Sequence, residues 1–458
     1  MRIHREIFRE YDVRGVVGQH LTPHVARGVA RAFGSEFEER HAPTVAVGRD
    51  NRPSSPELAA AICRGLNEAG VRALDVGTLP TPVLYFAALS LETDGGMQVT
   101  GSHNPPEYNG IKMVRDNRPV YGAAIQALAA RIEEERYAGG EAETERVTVL
   151  DRYVESFAAR ARVVEPLRLV LDCGNGAGSV VSGRALRAAG IEVDPLFCES
   201  DGTFPNHHPD PTVDENLQDL IARVKETRAA FGVGLDGDAD RIGVVTDEGE
   251  VLRGDRLLLL FAVELLRDLP GAEVIFDVKC SQALPEAVAA RGGVPVMWKT
   301  GHSLIKERMR ESGAPIAGEM SGHICFADRY FGFDDATYAA ARLAEIVARS
   351  GRPLSALAGE IPAYPSTPEL RVACPEDRKF RVVERAVAHY RASHEVIDID
   401  GARVQFAGGW ALIRASNTQP VLVVRVEAES ESRLREIRAE VAAFLAREGV
   451  HLDAVGEP

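Results

Sequence analysis

Apolar and polar positions follow one plan that recurs three times before about residue 362. An apolar strand opens each unit, an alanine-rich helical stretch ending in glycine follows, and a second apolar strand comes next. The opening strands are predicted at 44–50, 167–174 and 272–279, the helices at 56–70, 182–190 and 284–293, and the second strands at 71–77, 191–197 and 294–301. Strand–helix–strand units of this kind predict parallel strands in an α/β layered fold.

A third segment completes each unit and consists of a strand interrupted by a loop rich in reactive side chains. The three loops read TGSHNPPEYNG at 100–110, LDGDADR at 235–241 and GEMSGH at 318–323. Because copies of one supersecondary unit hold such loops at equivalent positions, we predict that three domains bring them to a common centre.

The plan changes after about residue 362. Three prolines within 361–372 suggest a linker and an edge strand. Two β-strands are predicted at 409–416 and 421–428, and a helix follows to residue 449, which together indicate a smaller α+β domain. The predicted domains span 1–147, 148–250, 251–362 and 363–458.

The composition agrees with the prediction of several domains and excludes some classes of binding partner. A chain of 458 residues is too long for one core, and 45% hydrophobic with 26% charged residues is typical of a soluble globular protein. A formal net charge of −15 argues against nucleic-acid and anionic-membrane binding. Since the N-terminus has no apolar signal core and no long apolar run exists, we predict a cytoplasmic protein without membrane spans.

The six cysteines are dispersed and form no CxxC pair. This spacing indicates neither a zinc ribbon nor a disulfide scaffold. Most of them lie in apolar strands, so we expect buried free thiols.

Three aspartates at alternating positions, Asp236, Asp238 and Asp240, make the second loop a candidate metal site. Carboxylates this close repel one another unless a cation lies between them, and hard oxygen ligands select Mg²⁺, Ca²⁺ or Mn²⁺. An EF-hand does not fit, because its sixth position is Arg241 and its twelfth is Asp247. A DxD phosphatase with an aspartyl nucleophile and a purely structural acidic turn remain alternatives.

The first loop presents Ser102 beside His103 and ahead of Lys112, in a segment whose prolines exclude a regular helix or central strand. A serine hydroxyl is a weak nucleophile until a base or metal assists it, and a phosphoserine offers strong acceptor oxygens. Mg²⁺ held by carboxylates commonly keeps positions for water and phosphate oxygens. The serine loop and the aspartate loop are therefore chemically complementary, although an ordinary proline-rich turn is the structural alternative.

Two further loops carry candidate binding groups. Glu319, Ser321 and His323 alternate along the third loop and so face one way, which suits hydrogen bonding to sugar hydroxyls. The loop at 414–420 follows a strand and gathers a guanidinium, two hydroxyls and an amide that could grip a phosphate: Arg414, Ser416, Asn417 and Thr418. Both loops could also be solvated turns, because these residue types are common turn formers.

The segment CGNGAG at 173–178 resembles a dinucleotide-binding loop, with Asp194 about 20 residues further on. Its glycines are spaced GxGxG rather than GxGxxG, and the corresponding loops of the other two units are not glycine-rich. We therefore interpret it as a tight strand-to-helix turn.

The motifs TGSHNPPEYNGIKM, DGDADRIGVVTDEG, GEMSGH and RASNTQP, in this order and spacing, resemble the α-D-phosphohexomutase superfamily. The resemblance covers the whole chain and is greatest to the bacterial phosphomannomutase/phosphoglucomutase group. It implies four domains around a central cleft, three of them related α/β domains with mixed sheets and the fourth a smaller C-terminal α+β domain.

The resemblance also implies a function for each loop. Ser102 would be a phosphoserine that interconverts hexose 1-phosphate and hexose 6-phosphate through a hexose 1,6-bisphosphate, which also acts as activator. One Mg²⁺ per chain would be bound by Ser102, Asp236, Asp238 and Asp240. The transfer site would include His103, Lys112, Arg241 and Arg14, and the substrate would contact Tyr11, Lys279, His302, Glu319, Ser321, Gly322, His323, Arg414, Ser416, Asn417 and Thr418.

The expected partners are small sugar phosphates, and the expected assembly is a monomer or a weak homo-oligomer. A phosphoglucosamine mutase shares the mechanism and remains an alternative, as does a Mg²⁺-dependent sugar phosphatase. A catalytically silent sugar-phosphate binding protein is a third class, but such a sensor needs no phosphoryl carrier.

Overall fold

The computed structural model describes residues 3–161, 163, 165, 167–417 and 419–452. Four sheets follow one another along the chain, and each has helices packed on it. The first three are mixed and the fourth is antiparallel, which confirms the predicted fold class.

The first unit is built on a seven-stranded sheet in the order β1-β5-β4-β2-β3-β7, with the short β6 beside β5. Its strands are β1 (Val13–Val16), β2 (Thr44–Arg49), β3 (Arg72–Thr78), β4 (Gly95–Val99), β5 (Tyr108–Arg115), β6 (Arg118–Pro119) and β7 (Thr144–Arg146). Its helices are α1 (Pro23–Gly34), α2 (Ser55–Glu68), α3 (Thr81–Ser90) and α4 (Ala123–Glu133).

The second and third units have smaller sheets, in the orders β12-β11-β10-β8-β9 and β14-β13-β15-β16. The second contains α5 (Leu150–Arg160), β8 (Arg168–Asp172), α6 (Ser182–Ala188), β9 (Glu192–Leu196), α7 (Gln218–Thr227), β10 (Phe231–Leu235), β11 (Ile242–Thr246) and β12 (Val251–Leu252). The third contains α8 (Gly254–Asp268), β13 (Glu273–Asp277), α9 (Ala283–Ala290), β14 (Val294–Trp298), α10 (His302–Ser312), β15 (Ile316–Gly318), β16 (Ile324–Phe326), α11 (Ala336–Ser350) and α12 (Leu354–Gly359).

One four-strand pattern is common to the three sheets: β5-β4-β2-β3, β11-β10-β8-β9 and β16-β15-β13-β14. The strands β2, β8 and β13 each have a parallel neighbour on either side, whereas β5, β11 and β16, at the other end of each pattern, are antiparallel to β4, β10 and β15. The predicted functional loops join β4 to β5, β10 to β11 and β15 to β16. The predicted equivalence of the three loops is therefore confirmed by the strand order.

The fourth unit is a five-stranded antiparallel sheet in the order β17-β21-β20-β19-β18 with two helices. Its elements are β17 (Leu370–Ala373), α13 (Glu376–Arg391), β18 (Glu395–Ile397), β19 (Ala402–Phe406), β20 (Gly409–Ala415), β21 (Val421–Ala428) and α14 (Glu431–Arg447). β17 is an edge strand, as the proline-rich sequence before it predicted.

Burial explains how the units hold their relative positions. One cluster of buried apolar side chains runs continuously from α3 through the second and third units. The first unit also has its own core, and so does the fourth. The fourth unit docks on the third through Arg403, which stacks on Trp410 and donates to the carbonyl of Cys280 at 2.9 Å.

The expectation of free thiols is confirmed for four cysteines and wrong for two. Cys63, Cys280, Cys325 and Cys374 are buried and unpaired, whereas Cys173 and Cys198 form a disulfide. Asp172 and Leu196 are partners at the ends of the parallel strands β8 and β9, and Cys173 and Cys198, one and two residues further on, have their Cα atoms 4.9 Å apart. Spacing along the chain could not show this proximity, because it depends on strand pairing.

No helix in the described part of the chain is long and apolar enough to cross a membrane. The segment at 173–178 forms a turn between β8 and α6, and the amide of Ala177 donates to the carbonyl of Gly237 at 2.9 Å. This glycine-rich turn therefore supports the aspartate loop.

Candidate active site

The serine loop and the aspartate loop meet directly. Ser102 Oγ donates to Asp236 Oδ2 at 2.8 Å and lies 3.0 Å from His103 Nδ1. Ser102 is only 2% exposed, and its backbone has the left-handed φ of 49° that non-glycine residues seldom adopt. Burial, together with the charges of Arg241 and Arg14, lowers the pKa of His103 well below its ordinary value, so this imidazole is neutral at pH 7.

The three aspartates are fully buried, and one carboxylate oxygen from each lies within 4.8 Å of the other two. Lys112, on β5 of the first unit, donates to Asp238 Oδ2 at 2.8 Å and to Asp240 Oδ2 at 2.5 Å. Burial lowers the pKa of Lys112, but these two carboxylates outweigh it and raise the pKa well above its ordinary value. Burial and the neighbouring charges of Asp240 and Asp238 raise the pKa of Asp236 well above its ordinary value.

The aspartate loop also contacts the third loop, through Arg241. Arg241 Nε donates to His323 Nε2 at 2.9 Å, and His323 Nδ1 lies 2.9 Å from Asp334 Oδ2. Because Nε2 accepts this hydrogen bond, the neutral ring carries its proton on Nδ1, facing the carboxylate. His302 stacks on His323 with ring centroids 5.0 Å apart, and its Nδ1 lies 3.3 Å from the same Asp334 oxygen.

The remaining predicted residues of the third loop shape it in different ways. Glu319 is buried, and its Oε1 accepts the amide of Gly301 at 2.6 Å. Gly322 has a φ of 90°, and a Cβ there would lie 2.4 Å from the carbonyl oxygen of Ile242, so only glycine fits. Ser321 is half-buried beside it.

Residues of the first, third and fourth units meet at Tyr11. Its hydroxyl donates to the carbonyl of Thr300 at 2.8 Å and accepts from Asn417 Nδ2 at 2.9 Å. The Tyr11 ring also lies 6.2 Å from that of His302, edge to face. A chain of contacts thus connects the loop at 414–420 with the histidine pair.

Arg414 is held in place by Asp400 of the same unit. Its Nε and Nη2 lie 3.1 and 3.0 Å from Asp400 Oδ2, which also accepts the amide of Thr300 at 3.0 Å. Ser416 is buried, and its Oγ accepts the amide of Gln419 at 3.2 Å. Thr418 lies outside the described residues.

Arg14 and Lys279 are likewise held by acidic partners. Arg14 pairs with Asp12 at 2.5 Å, and its charge reaches His103. Lys279 Nζ lies 3.1 Å from Glu369 Oε2. The pKa of Glu369 falls to about 2, mainly because of this lysine.

Sequence reasoning missed the carboxylate that unites the third loop, Asp334. It is fully buried, accepts from Lys306 Nζ at 2.8 Å and faces both His302 and His323. A signal was present, since two aspartates stand together before α11 and only Asp335 caps that helix, by accepting the amide of Tyr338 at 2.9 Å. Helix capping therefore explains the second aspartate but not Asp334, which pointed to another role for it.

Comparison with known proteins agrees with this geometry. Family models for phosphoglucomutase/phosphomannomutase match the chain as alpha/beta/alpha domain I over 5–138, domain II over 151–249, domain III over 253–364 and the C-terminal domain over 369–444. A phosphomannomutase/phosphoglucomutase of Pseudomonas aeruginosa is 48% identical over 94% of both chains. A probable phosphoglucosamine mutase of Methanopyrus kandleri is 36% identical over 96% of this chain and 98% of its own.

A solved structure is similar over nearly its whole length. It is a phosphoglucomutase/phosphomannomutase family protein of Burkholderia thailandensis, 47% identical, with a TM-score of 0.92 over 97% of this chain and 98% of that one. The fold and site define a phosphohexomutase. The chain belongs to the phosphoglucomutase/phosphomannomutase family.

Proposed function

We propose that the protein interconverts hexose 1-phosphate and hexose 6-phosphate, of mannose, glucose or both, through a phosphorylated Ser102 and a hexose 1,6-bisphosphate. The observation that carries this proposal is the contact of Ser102 Oγ with Asp236 Oδ2 at 2.8 Å, made between two units of the fold. It supports a serine that carries the phosphoryl group beside a metal, which a binding protein would not require.

The aspartate loop fits one Mg²⁺. Lys112 Nζ donates to Oδ2 of both Asp238 and Asp240. Among the described residues, the Oδ1 atoms of these two aspartates have no hydrogen-bond partner. Buried oxygens without partners are costly unless a cation binds them. Asp236, Asp238, Asp240 and a phosphate oxygen on Ser102 would hold the ion, and when bound it would withdraw charge from the transferring phosphoryl group.

The chain's own residues supply the remaining chemistry of transfer. The bond between phosphorus and Ser102 Oγ breaks as a bond to a sugar hydroxyl oxygen forms, and the proton that this hydroxyl releases balances the one that the departing Ser102 Oγ takes up. The hydroxyl proton passes to a base, and we assign this role to His323 Nε2: it carries no proton in the tautomer that Arg241 selects, and its lone pair becomes available when Arg241 turns from it to the phosphoryl group. Lys112 and Arg241 offset the negative charge of the phosphoryl group.

The same chemistry run in reverse completes the reaction. The bisphosphate would reorient within the site, and its other phosphate would return to Ser102 to leave the isomeric monophosphate. Glu319 and Ser321 would bind sugar hydroxyls, and Arg414, Ser416, Asn417 and Thr418 would bind the phosphate that is not transferred. A trace of hexose 1,6-bisphosphate would activate the enzyme by phosphorylating Ser102.

A coupled assay of purified protein tests this function. Glucose, mannose and glucosamine 1-phosphates are supplied with Mg²⁺ and a trace of glucose 1,6-bisphosphate, and the 6-phosphates and inorganic phosphate are measured. We expect rapid formation of glucose or mannose 6-phosphate with little inorganic phosphate. Preference for the glucosamine substrate would identify a phosphoglucosamine mutase, and stoichiometric release of inorganic phosphate would identify a phosphatase.

A further inference from the structure

A fully buried arginine lies directly beneath the serine loop. Arg52, three residues after β2, is 1% exposed, and its guanidinium donates to four backbone carbonyls of the loop. Nη2 lies 2.7 Å from the oxygen of Ser102 and 2.6 Å from that of Asn104, and Nη1 lies 2.7 Å from that of Pro105 and 3.1 Å from that of Tyr108. One rigid, planar group therefore fixes the path of the loop from Ser102 to Tyr108.

This guanidinium stabilises a backbone conformation that the serine would otherwise avoid. The left-handed φ of Ser102 is unfavourable for a residue with a Cβ and persists only where its surroundings impose it. The hydrogen bond from Arg52 to the Ser102 carbonyl and the one from the Ser102 amide to Thr100 Oγ1, at 2.9 Å, hold both sides of this residue. The direction of the Ser102 side chain follows from that backbone.

The loop and the arginine are also built to approach each other closely. A Cβ at Gly101 would lie 2.5 Å from Arg52 Nε, so only glycine leaves room for the guanidinium. Asp50 lies 3.2 Å from Arg52 Nε and accepts the amide of Gly101 at 3.0 Å. The buried positive charge is thus paired with a carboxylate that itself holds the loop.

The segment that carries Arg52 also contacts the unit that carries the aspartates. Asn51 Nδ2 donates to the carbonyl of Asn175 at 2.6 Å and to Ser200 Oγ at 3.0 Å. The Arg52 guanidinium lies 5.0 Å from the centre of the Phe204 ring. Arg52 is therefore in a position to set the serine loop relative to both units at once.

We propose that Arg52 is a positioning residue for phosphoryl transfer: by binding the carbonyls of the serine loop, it holds Ser102 Oγ in line with the aspartate loop. The inference rests on the proposed function. Prolines fix their own φ angles and restrict only the residue before them, so Pro105 and Pro106 leave the carbonyl of Ser102 to be oriented by another group. Displacement rates depend steeply on alignment, so loss of this support should slow transfer more than it weakens binding.

Arg52→Lys tests the role, because an ammonium keeps the charge but cannot satisfy four carbonyls in a fixed plane. We expect kcat to fall about 10- to 100-fold, the effect of misplacing a reacting atom by about an ångström, with KM for hexose 1-phosphate nearly unchanged. Hydrogen exchange should become about tenfold faster in peptides covering 100–110 and stay unchanged in β2 and β3.

Arg342→Lys is the matched control. Arg342 is also buried, stacks on Phe326 and donates to the carbonyl of Asp328 at 3.1 Å, but it belongs to α11 of the third unit. This variant should lose stability while retaining wild-type kcat and wild-type exchange at 100–110.

A second variant keeps the test decisive if Arg52→Lys does not fold. Gly101→Ala displaces the guanidinium without removing its charge, and it should give the same loss of kcat and the same local exchange. Wild-type kcat and exchange in these variants would overturn the proposal, and so would faster exchange throughout the first unit, which would show a purely structural role. Wild-type protein inactive on hexose phosphates would refute the proposed function, whereas the exchange result would still decide the role of Arg52.

Discussion

Ser102 Oγ and Asp236 Oδ2 are hydrogen-bonded at 2.8 Å although 134 residues separate them in the sequence. The contact exists because two copies of one strand pattern place the serine loop and the aspartate loop at the same edge of their sheets, facing each other. A phosphoryl group on Ser102 would therefore lie beside the three carboxylates that we propose bind a cation.

Asp238→Asn should weaken metal binding while the fold is retained. The amide keeps the shape of the carboxylate but removes its charge, and Lys112 stays paired with Asp240. We expect the Mg²⁺ concentration for half-maximal activity to rise at least about tenfold, the loss seen even for outer-shell partners. A Mg²⁺ titration of activity measures this. Asp214→Asn, an exposed carboxylate paired with Arg253 in the same region, is the control, and an unaltered titration of Asp238→Asn would remove this aspartate from the site.

Arg414→Ala should lower kcat/KM for 1-phosphate and 6-phosphate sugars by similar factors, because one arginine would bind the phosphate that is not transferred in both substrate orientations. A hydrogen bond to a charged group is worth about 1.5–3 kcal/mol, which corresponds to a loss of about 10- to 150-fold in kcat/KM. Kinetics in both directions provide the measurement. The control is Arg391→Ala, which removes an exposed pair with Asp398. A large loss of kcat/KM in one reaction direction only would mean that two separate sites bind the phosphate that is not transferred.

Asp334→Asn should reduce kcat about 10- to 100-fold, because the carboxylate orients His323. Burial and the charge of Lys306 lower the pKa of the neighbouring His302 to about 4, so this ring is neutral at pH 7 and cannot replace the lost charge. The substitution also leaves Lys306 buried without its carboxylate, which costs about 3–5 kcal/mol.

A double variant separates these two effects of Asp334. Asp334→Asn with Lys306→Met removes both charges, so thermal stability should recover while kcat stays low. Recovery of kcat together with stability would show that Asp334 acts only on the fold.

His207→Asn should destabilise the protein more at low pH than at high pH. Burial lowers the pKa of His207, but the carboxylate of Asp172, 3.0 Å from Nε2, outweighs it and raises the pKa above the unfolded value. The charged pair therefore stabilises the fold fully below the unfolded pKa and is lost as the pH rises through the folded pKa. We expect the free energy of unfolding of His207→Asn to lie about 1 kcal/mol below that of wild type at pH 5.5, and the difference to be smaller at pH 9.

Thermal unfolding of wild type and His207→Asn across this pH range tests the pair. His208→Asn is the control, because the backbone carbonyl of His208, rather than its ring, contacts His207. A stability difference between wild type and His207→Asn that is constant with pH would show that the charge on His207 does not contribute to stability.

Much of the fold was predictable because its sequence repeats. The opening strands at 44–50, 167–174 and 272–279 and the loops after the third strands were predicted correctly, since apolar runs followed by Gly-ended helices leave few other topologies. The reactive side chains of these loops were visible because aspartates spaced by two and a serine among prolines have few structural uses.

The supporting residues were not predictable for a physical reason. Arg52 and Lys306 look like ordinary surface cations in the sequence, since charged residues are rarely buried, and only the tertiary fold surrounds them with partners. The disulfide between Cys173 and Cys198 likewise depends on the pairing of β8 with β9. Such groups could be found only after the strand order was known.

Transfer of phosphate to and from Ser102 is the most direct test of the account. Dephosphorylated protein is incubated with Mg²⁺ and glucose 1,6-bisphosphate, its intact mass and phosphorylated peptide are determined, and glucose 6-phosphate is then added. We predict one phosphate per chain, on Ser102, which passes to the added sugar to regenerate bisphosphate, whereas Ser102→Ala takes up none and is inactive. Phosphate on another residue, or full mutase activity of Ser102→Ala, would contradict the account.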